Sequence, residues 1–328
     1  MGTYTVKELR SVAGAICAAW LIGDIEAISL TDQEGTKETP GYRSLTLAEA
    51  EKVQAALGRR VFIAAALEPE TVDYAHRTTA EFLGAEWLAQ KVRNGLPIGR
   101  LQALMGVDGQ PASELRGLHA WLAVHLPTHA KALIEADPYG VLTYGDAAAL
   151  STPACAHLVH SLGKLSKVNP WFRSGGQASP SIGALARKDM VPEFQKVLRS
   201  PTVGFGIRSV VVDALSIGAP LPEMKKDLVT GVQSNNWPYR DRAVAMNTLL
   251  RLGQDGKDAV VQIFRSGLGA SENDYRLRTI ILERLYGDPF GVADVVELIN
   301  SFLNVKANRG SAMEFIGKIA PRRPPSHS

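Results

Sequence analysis

Apolar residues recur at helical spacing along most of the chain. Leu9, Val12, Ala13, Ile16 and Trp20 lie three or four apart, the one-sided stripe of an amphipathic helix over residues 6–22. Phe82, Leu83, Ala85, Trp87, Leu88 and Val92 draw a stronger one over 77–92, ended by Asn94 and Gly95. Thr46 followed by Glu49 has the form of a capping box and leads into Ala50, Val53 and Leu57. Residues 61–63 and 72–74 read as a short hairpin, although the first run fits a helix equally well. More helices are predicted at 99–105, 113–125, 127–135, 143–150 and 152–168. Asp108-Gly109, Asp137-Pro138 and Asn169-Pro170 separate them as turn signals, and the Gly/Ser-rich stretch 174–181 is the main internal boundary.

The last third repeats itself. Arg208, Arg242 and Arg278 stand 34 and then 36 residues apart, and Leu215, Leu249 and Leu285 keep the same offsets, as do Asp213, Asn247 and Glu283. A regular period of this length predicts stacked helix pairs, because one pair cannot bury its apolar face alone. The first helix of each pair is read at 192–198, 223–232 and 256–264, and 292–302 opens a fourth unit. The arginine, the polar residue five later and the leucine after it are similar to the second helix of HEAT repeats, in units shorter than the usual ~40–47 residues.

Composition narrows the class. Thirty-six Lys+Arg against thirty-three Asp+Glu leave a net charge of +3, too little to imply a nucleic-acid partner without a concentrated basic face. The apolar run 12–22 is too short to cross a bilayer, where about 20 residues are needed. Lys7, Glu8 and Arg10 precede it with no cleavage site after it, so a cytoplasmic location is expected. Cys17 and Cys155 form no zinc or redox spacing. No phosphate loop, G-x-S-x-G, H-E-x-x-H or G-x-G-x-x-G occurs, so the chain is read as non-enzymatic and without a metal or cofactor of its own. His119, His125 and His129, and His157 and His160 beside Cys155, fit structural roles better than metal ligation, since Pro127 breaks the first group and the second lacks a fourth ligand. Trp171, Phe172 and Arg173 put two aromatics and a cation in one loop, either a partner hot spot or packing at the junction with the repeats.

His76, Arg77, Thr78, Glu81, Phe82, Leu83 and Ala85 stand in the order of a helix entry. That order resembles the signature that closes the winged-helix region of NACHT-type STAND NTPases, with Tyr74 where the family has Phe and Gly84 where it has Ala. The segments 114–123, 144–147 and 169–173 are also similar to bacterial members. The resemblance implies an all-α protein with a winged-helix-like region at 1–95, a helical bundle at 96–175, an α-α superhelix of HEAT-like repeats at 176–320 and a disordered tail at 321–328. It also implies a sensor or regulatory module in which His76 reads the nucleotide state. ADP or ATP is then bound only where an NTPase core is supplied by a longer chain or a partner subunit. The expected partner is a protein ligand on the repeat surface, with Trp171, Phe172, Arg173, Arg208, Arg242 and Arg276 as candidate contacts. The alternative is a free-standing HEAT-like scaffold that binds a protein or nucleic acid, for which an arginine stripe through Arg208, Arg242, Arg276 and Arg278 is the sign.

Overall fold

A computed structural model describes residues 4–65, 70–173 and 180–304; the tail 321–328 and most of the boundary loop 174–181 lie outside the described residues. The structure is mostly helical, as the all-α expectation requires, with strands confined to short pieces. No described helix is long and apolar enough to cross a membrane. The chain forms two compact units, 1–185 and 186–328.

The first unit opens with α1 (Val6–Gly23), where Thr5 and Glu8 form a capping box. Next come β1 (Ile28–Ser29), α2 (Ala50–Leu57), β2 (Phe62–Ala64), β3 (Thr71–Tyr74) and α3 (Arg77–Arg93). The hairpin is present, and β1 completes an antiparallel sheet of order β1-β3-β2, with Val72 opposite both Ile28 and Ala64. Trp20, 2 % exposed, stacks on Phe62 at 6.1 Å and meets the edge of Tyr74 at 5.6 Å, joining α1 to the sheet. α1 and α3 approach through small residues: a Cβ on Gly14 would lie 2.7 Å from the Leu83 carbonyl oxygen, and one on Gly84 3.2 Å from the Ala18 nitrogen. One expectation fails here. Thr46 does not cap α2, whose N-cap is Glu49 without a side-chain bond; Thr46 lies in the preceding turn.

α4 (Ile98–Met105) runs into a two-strand hairpin, β4 (Gly106–Val107) and β5 (Gln110–Pro111), turned by Asp108 and Gly109 at φ 52° and 80°. The bundle continues with α5 (Arg116–His125), α6 (Ala130–Ala136), α7 (Pro138–Tyr144), α8 (Thr152–Val168) and α9 (Pro180–Gly183). α3 packs on α5 and α5 on α7, so these helices belong to the same compact unit as α1 and the three-stranded sheet. The helix predicted at 143–150 lies instead at Pro138–Tyr144. Asp137 starts it, accepting the Gly140 amide at 2.9 Å, and Pro138 occupies the first helical position, where its fixed φ suits the helix.

The second unit comprises α10 (Val191–Arg199), α11 (Phe205–Ile217), α12 (Lys225–Gln233), α13 (Tyr239–Leu250), α14 (Gln254–Gln262), α15 (Glu272–Leu285) and α16 (Val292–Asn304). α11, α13 and α15 are the three repeated segments. α11 packs on α13 and α13 on α15, while α10 packs on α12 and α12 on α14. Val210, Leu215, Met246, Leu249, Leu277 and Leu282 are all at most 1 % exposed, so the repeated positions form the core of this unit.

Candidate functional site

The repeated arginines act first inside the protein. Arg242 on α13 is 2 % exposed; its Nε donates to the Val232 carbonyl at 2.7 Å, at the end of α12, and its Nη2 pairs with Asp274 of α15. Asp274 is 1 % exposed and also accepts the Ser271 amide at 3.1 Å and hydroxyl at 2.6 Å in the capping box of α15. Burial works against its charge, but the bonds from Ser271 and Arg242 hold its carboxyl below the ordinary value. Arg278 on α15 likewise reaches back, donating to the Leu268 and Gly269 carbonyls at 2.6 and 2.7 Å. These arginines tie the end of one helix to the next pair.

Arg208 occupies the same place on α11 and is tied less completely. Its Nη2 has one long bond, 3.3 Å, to the Val203 carbonyl, and its buried Nε has no hydrogen-bond partner. The guanidinium lies over the Trp237 ring at 5.4 Å, and the residue is 9 % exposed. Asp241, the carboxylate whose charge acts on Arg208, is turned to Arg240, whose Nη1 donates to its Oδ1 at 3.2 Å while Nη2 grips Asp213 at 2.8 and 2.9 Å. Asp241 Oδ2 is buried without a partner, and burial raises this carboxyl above its ordinary value despite Arg240. Burial also pushes the Arg208 guanidinium down, against the pull of Asp241.

Beside Arg208 lies an open cleft of about 550 Å³, formed by the end of α10, the face of α12 and the α12–α13 loop. Arg199, Lys226 and Arg208 line it, together with Asp227, Ser200 and Trp237. Asp227, 6 % exposed, is already held by a two-pronged contact from Arg199, with Nη2 to Oδ2 at 3.0 Å, and by Gln195 at 3.3 Å. Gly231 makes room for the aromatic floor: a Cβ there would lie 2.5 Å from the Trp237 ring. A second cleft of about 520 Å³, between the end of α14, α15 and α16, carries Asp294 and Glu297 opposite Arg265 and Arg278. Its charges balance, whereas those of the first cleft do not.

The other predicted residues lie apart from this cleft. Arg276 on α15 is exposed and sits 4.3 Å above the Tyr239 ring. In the first unit, Trp171 is 65 % exposed while Phe172 meets the edge of Tyr139 at 5.3 Å, and the Arg173 Nε is buried. The loop therefore has one aromatic facing out and one packing inward. His76 is the exposed N-cap of α3 and makes no side-chain cap bond. Glu81 of the same motif is 7 % exposed, bonded to Arg77 at 3.0 Å and pressed against Gly117 of α5, where a Cβ would meet its carboxyl at 2.1 Å. Burial raises its carboxyl above the ordinary value, with Arg77 opposing.

The histidines are engaged locally. His119, fully buried, contacts the Leu133 carbonyl through Nε2 at 2.8 Å; His125 packs on Phe82 at 4.9 Å; His157 lies 3.1 Å from Glu135. Among the described residues no group of three His, Cys, Asp or Glu side chains converges as metal ligands would. Cys17 is fully buried, and burial pushes its thiol up to about 12, which keeps it protonated and unreactive. The sequence offered no direct sign of the cleft around Arg208; the available signal was the Arg208/Arg242/Arg278 series itself, in which the partner of each member could not be read. No family model matches the chain, and no curated protein or solved structure is significantly similar to it.

Proposed function

We propose that this chain is a non-enzymatic sensor or regulatory module that binds a protein ligand on the helix pairs of its second unit, with any nucleotide chemistry supplied by an NTPase core on a longer chain or a partner subunit. The observation that carries this reading is the set of ties between successive pairs, Arg240 to Asp213 and Arg242 to Asp274, which make the repeated helices a rigid surface without placing a reactive pair on it. Rigid helix pairs suit recognition, because little conformational entropy is lost when a partner docks. The NACHT-like signature around His76 favours a regulatory role and a cytoplasmic setting. In that role His76, at the N-terminus of a 17-residue helix, contacts a nucleotide phosphate only when the core is present. A nucleic-acid scaffold is disfavoured because Arg208 and Arg242 are buried and Arg276 lies on a tyrosine ring rather than in an open basic stripe.

The test is affinity capture of the tagged full chain from its source cells under native conditions, followed by reconstitution with the captured polypeptide. The expected result is a stoichiometric partner carrying Walker motifs, or a defined protein ligand, whose affinity falls when Arg276 is replaced by alanine. Recovery of no stoichiometric partner, or tight binding of nucleic acid with a steep salt dependence, contradicts the reading.

A further inference from the structure

We infer that the cleft beside Arg208 is a binding site for a phosphate monoester, with the Arg208 guanidinium on the phosphoryl oxygens and Lys226 closing over them from the rim. This site goes beyond the protein-ligand reading and stands or falls independently of it.

The first argument is the odd position of Arg208 in its series. Arg242 and Arg278 each reach back ten residues to a carbonyl, Val232 and Leu268, at the end of the preceding segment. The equivalent position for Arg208 is Leu198, which lines the cleft, yet Arg208 makes its one bond at 3.3 Å to Val203 instead. Its Nε is left buried without an acceptor. An arginine remains charged in a protein, and a buried donor left unmatched is destabilising, more so when charged. An acceptor arriving through the cleft removes that cost.

The second argument is charge. Arg199, Arg208 and Lys226 face one carboxylate, Asp227, which Arg199 and Gln195 already occupy. Arg208 and Lys226 are left without an ion-paired carboxylate in the cleft, so a dianion fits better than a single carboxylate. The guanidinium fork matches phosphoryl oxygens, and Lys226 adds a point charge. Trp237 beneath the guanidinium fixes its plane, as Gly231 fixes the tryptophan. A third argument is size: about 550 Å³ exceeds what a bare phosphate fills and falls in the range of small-molecule sites, so the phosphate comes attached to an organic group.

The experiment is a titration of the full chain with inorganic phosphate, ribose 5-phosphate and a phosphoserine octapeptide, with ribose and succinate as controls, followed by calorimetry and the indole N–H resonance of Trp237. Wild-type protein is expected to bind at least one phosphate monoester saturably below about 1 mM and to move the Trp237 signal. Lys226→Gln, an exposed change that leaves the fold intact, is expected to weaken binding about fivefold. Arg208→Gln is expected to weaken it tenfold or more. Tighter binding of ribose 5-phosphate assigns a small metabolite, and tighter binding of the phosphopeptide assigns a phosphorylated protein segment; both support the site. The inference is overturned by absence of saturable binding of both monoesters up to about 10 mM, by equal binding of succinate, or by binding that Lys226→Gln leaves unchanged.

Discussion

Arg208 and Arg242 occupy the same place in consecutive repeats of the second unit but have opposite surroundings. Arg242 is enclosed, with its guanidinium divided between a helix-end carbonyl and Asp274, and Asp274 in turn caps the helix that carries it. Arg208 is nearly as buried, but the carboxylate whose charge acts on it, Asp241, is bonded to Arg240, and the space where a carbonyl tie belongs is an open cleft. A repeat therefore conserves a shape in one unit and frees the same side chain for a ligand in another. The lesson concerns partners rather than residues: identical arginines at one repeat position become struts or receptors according to which neighbour claims the carboxylate.

The comparison breaks most visibly at Arg242. Arg242→Ala leaves Asp274 buried without its main cation, and the transition of the second unit in urea is expected to lose about 3–5 kcal/mol. Gly231→Ala comes next, because the new Cβ collides with the Trp237 ring on which Arg208 rests. It should cost about 1–3 kcal/mol in the same measurement and move the Trp237 indole resonance. Lys226→Glu sharpens the contrast instead, since it gives the first cleft a carboxylate like those of the second. Stability should stay within about 0.5 kcal/mol, while phosphate binding is lost.

The smallest effect is in pH dependence. Asp274 titrates below the ordinary carboxylate value of 3.8, so its stabilisation is present above 3.8 and is lost as pH falls through its depressed value. Asp241 is raised above 3.8 by burial, so the folded state takes up a proton there before the unfolded chain does. Acidification toward 3.8 therefore removes a cost at Asp241. The melting temperature of wild type relative to Asp241→Asn is expected to rise as pH approaches 3.8 from above, and relative to Asp274→Asn to fall only below it. Side-chain carboxyl NMR titration of the two aspartates checks the order directly.

Much of the fold is legible in the apolar pattern, because burial of a stripe depends on spacing alone. Helix α1, predicted over 6–22, spans Val6–Gly23, and α8 spans Thr152–Val168 as predicted. The pairs of the second unit follow their repeated leucines. The misread places are those where a polar side chain has two uses. Asp137 before Pro138 does end α6, as its turn signal implies, but the same aspartate also caps α7, so the next helix starts ahead of the 143–150 that the pattern predicts; Arg116 clamps it at 2.7 and 2.8 Å, a contact 21 residues away in sequence. Thr46 and Glu49 have the spelling of a capping box but do not form one, whereas Thr5 with Glu8 and Ser271 with Asp274 do. The candidate site was legible only in part: Arg208 stood out by its period, but which arginine meets a carboxylate depends on Arg240, Asp241 and Asp274 meeting across helices, and no local pattern encodes that.

The most direct test compares Arg208→Gln with Arg242→Gln in urea unfolding of the second unit, each with and without a saturating phosphate monoester. Arg242→Gln is expected to lose several kcal/mol and still to be stabilised by the ligand, because its cleft is intact. Arg208→Gln is expected to lose about 1 kcal/mol or less and to show no ligand stabilisation. Equal losses in the two variants, with no ligand effect on the wild type, would contradict the division of labour between these arginines.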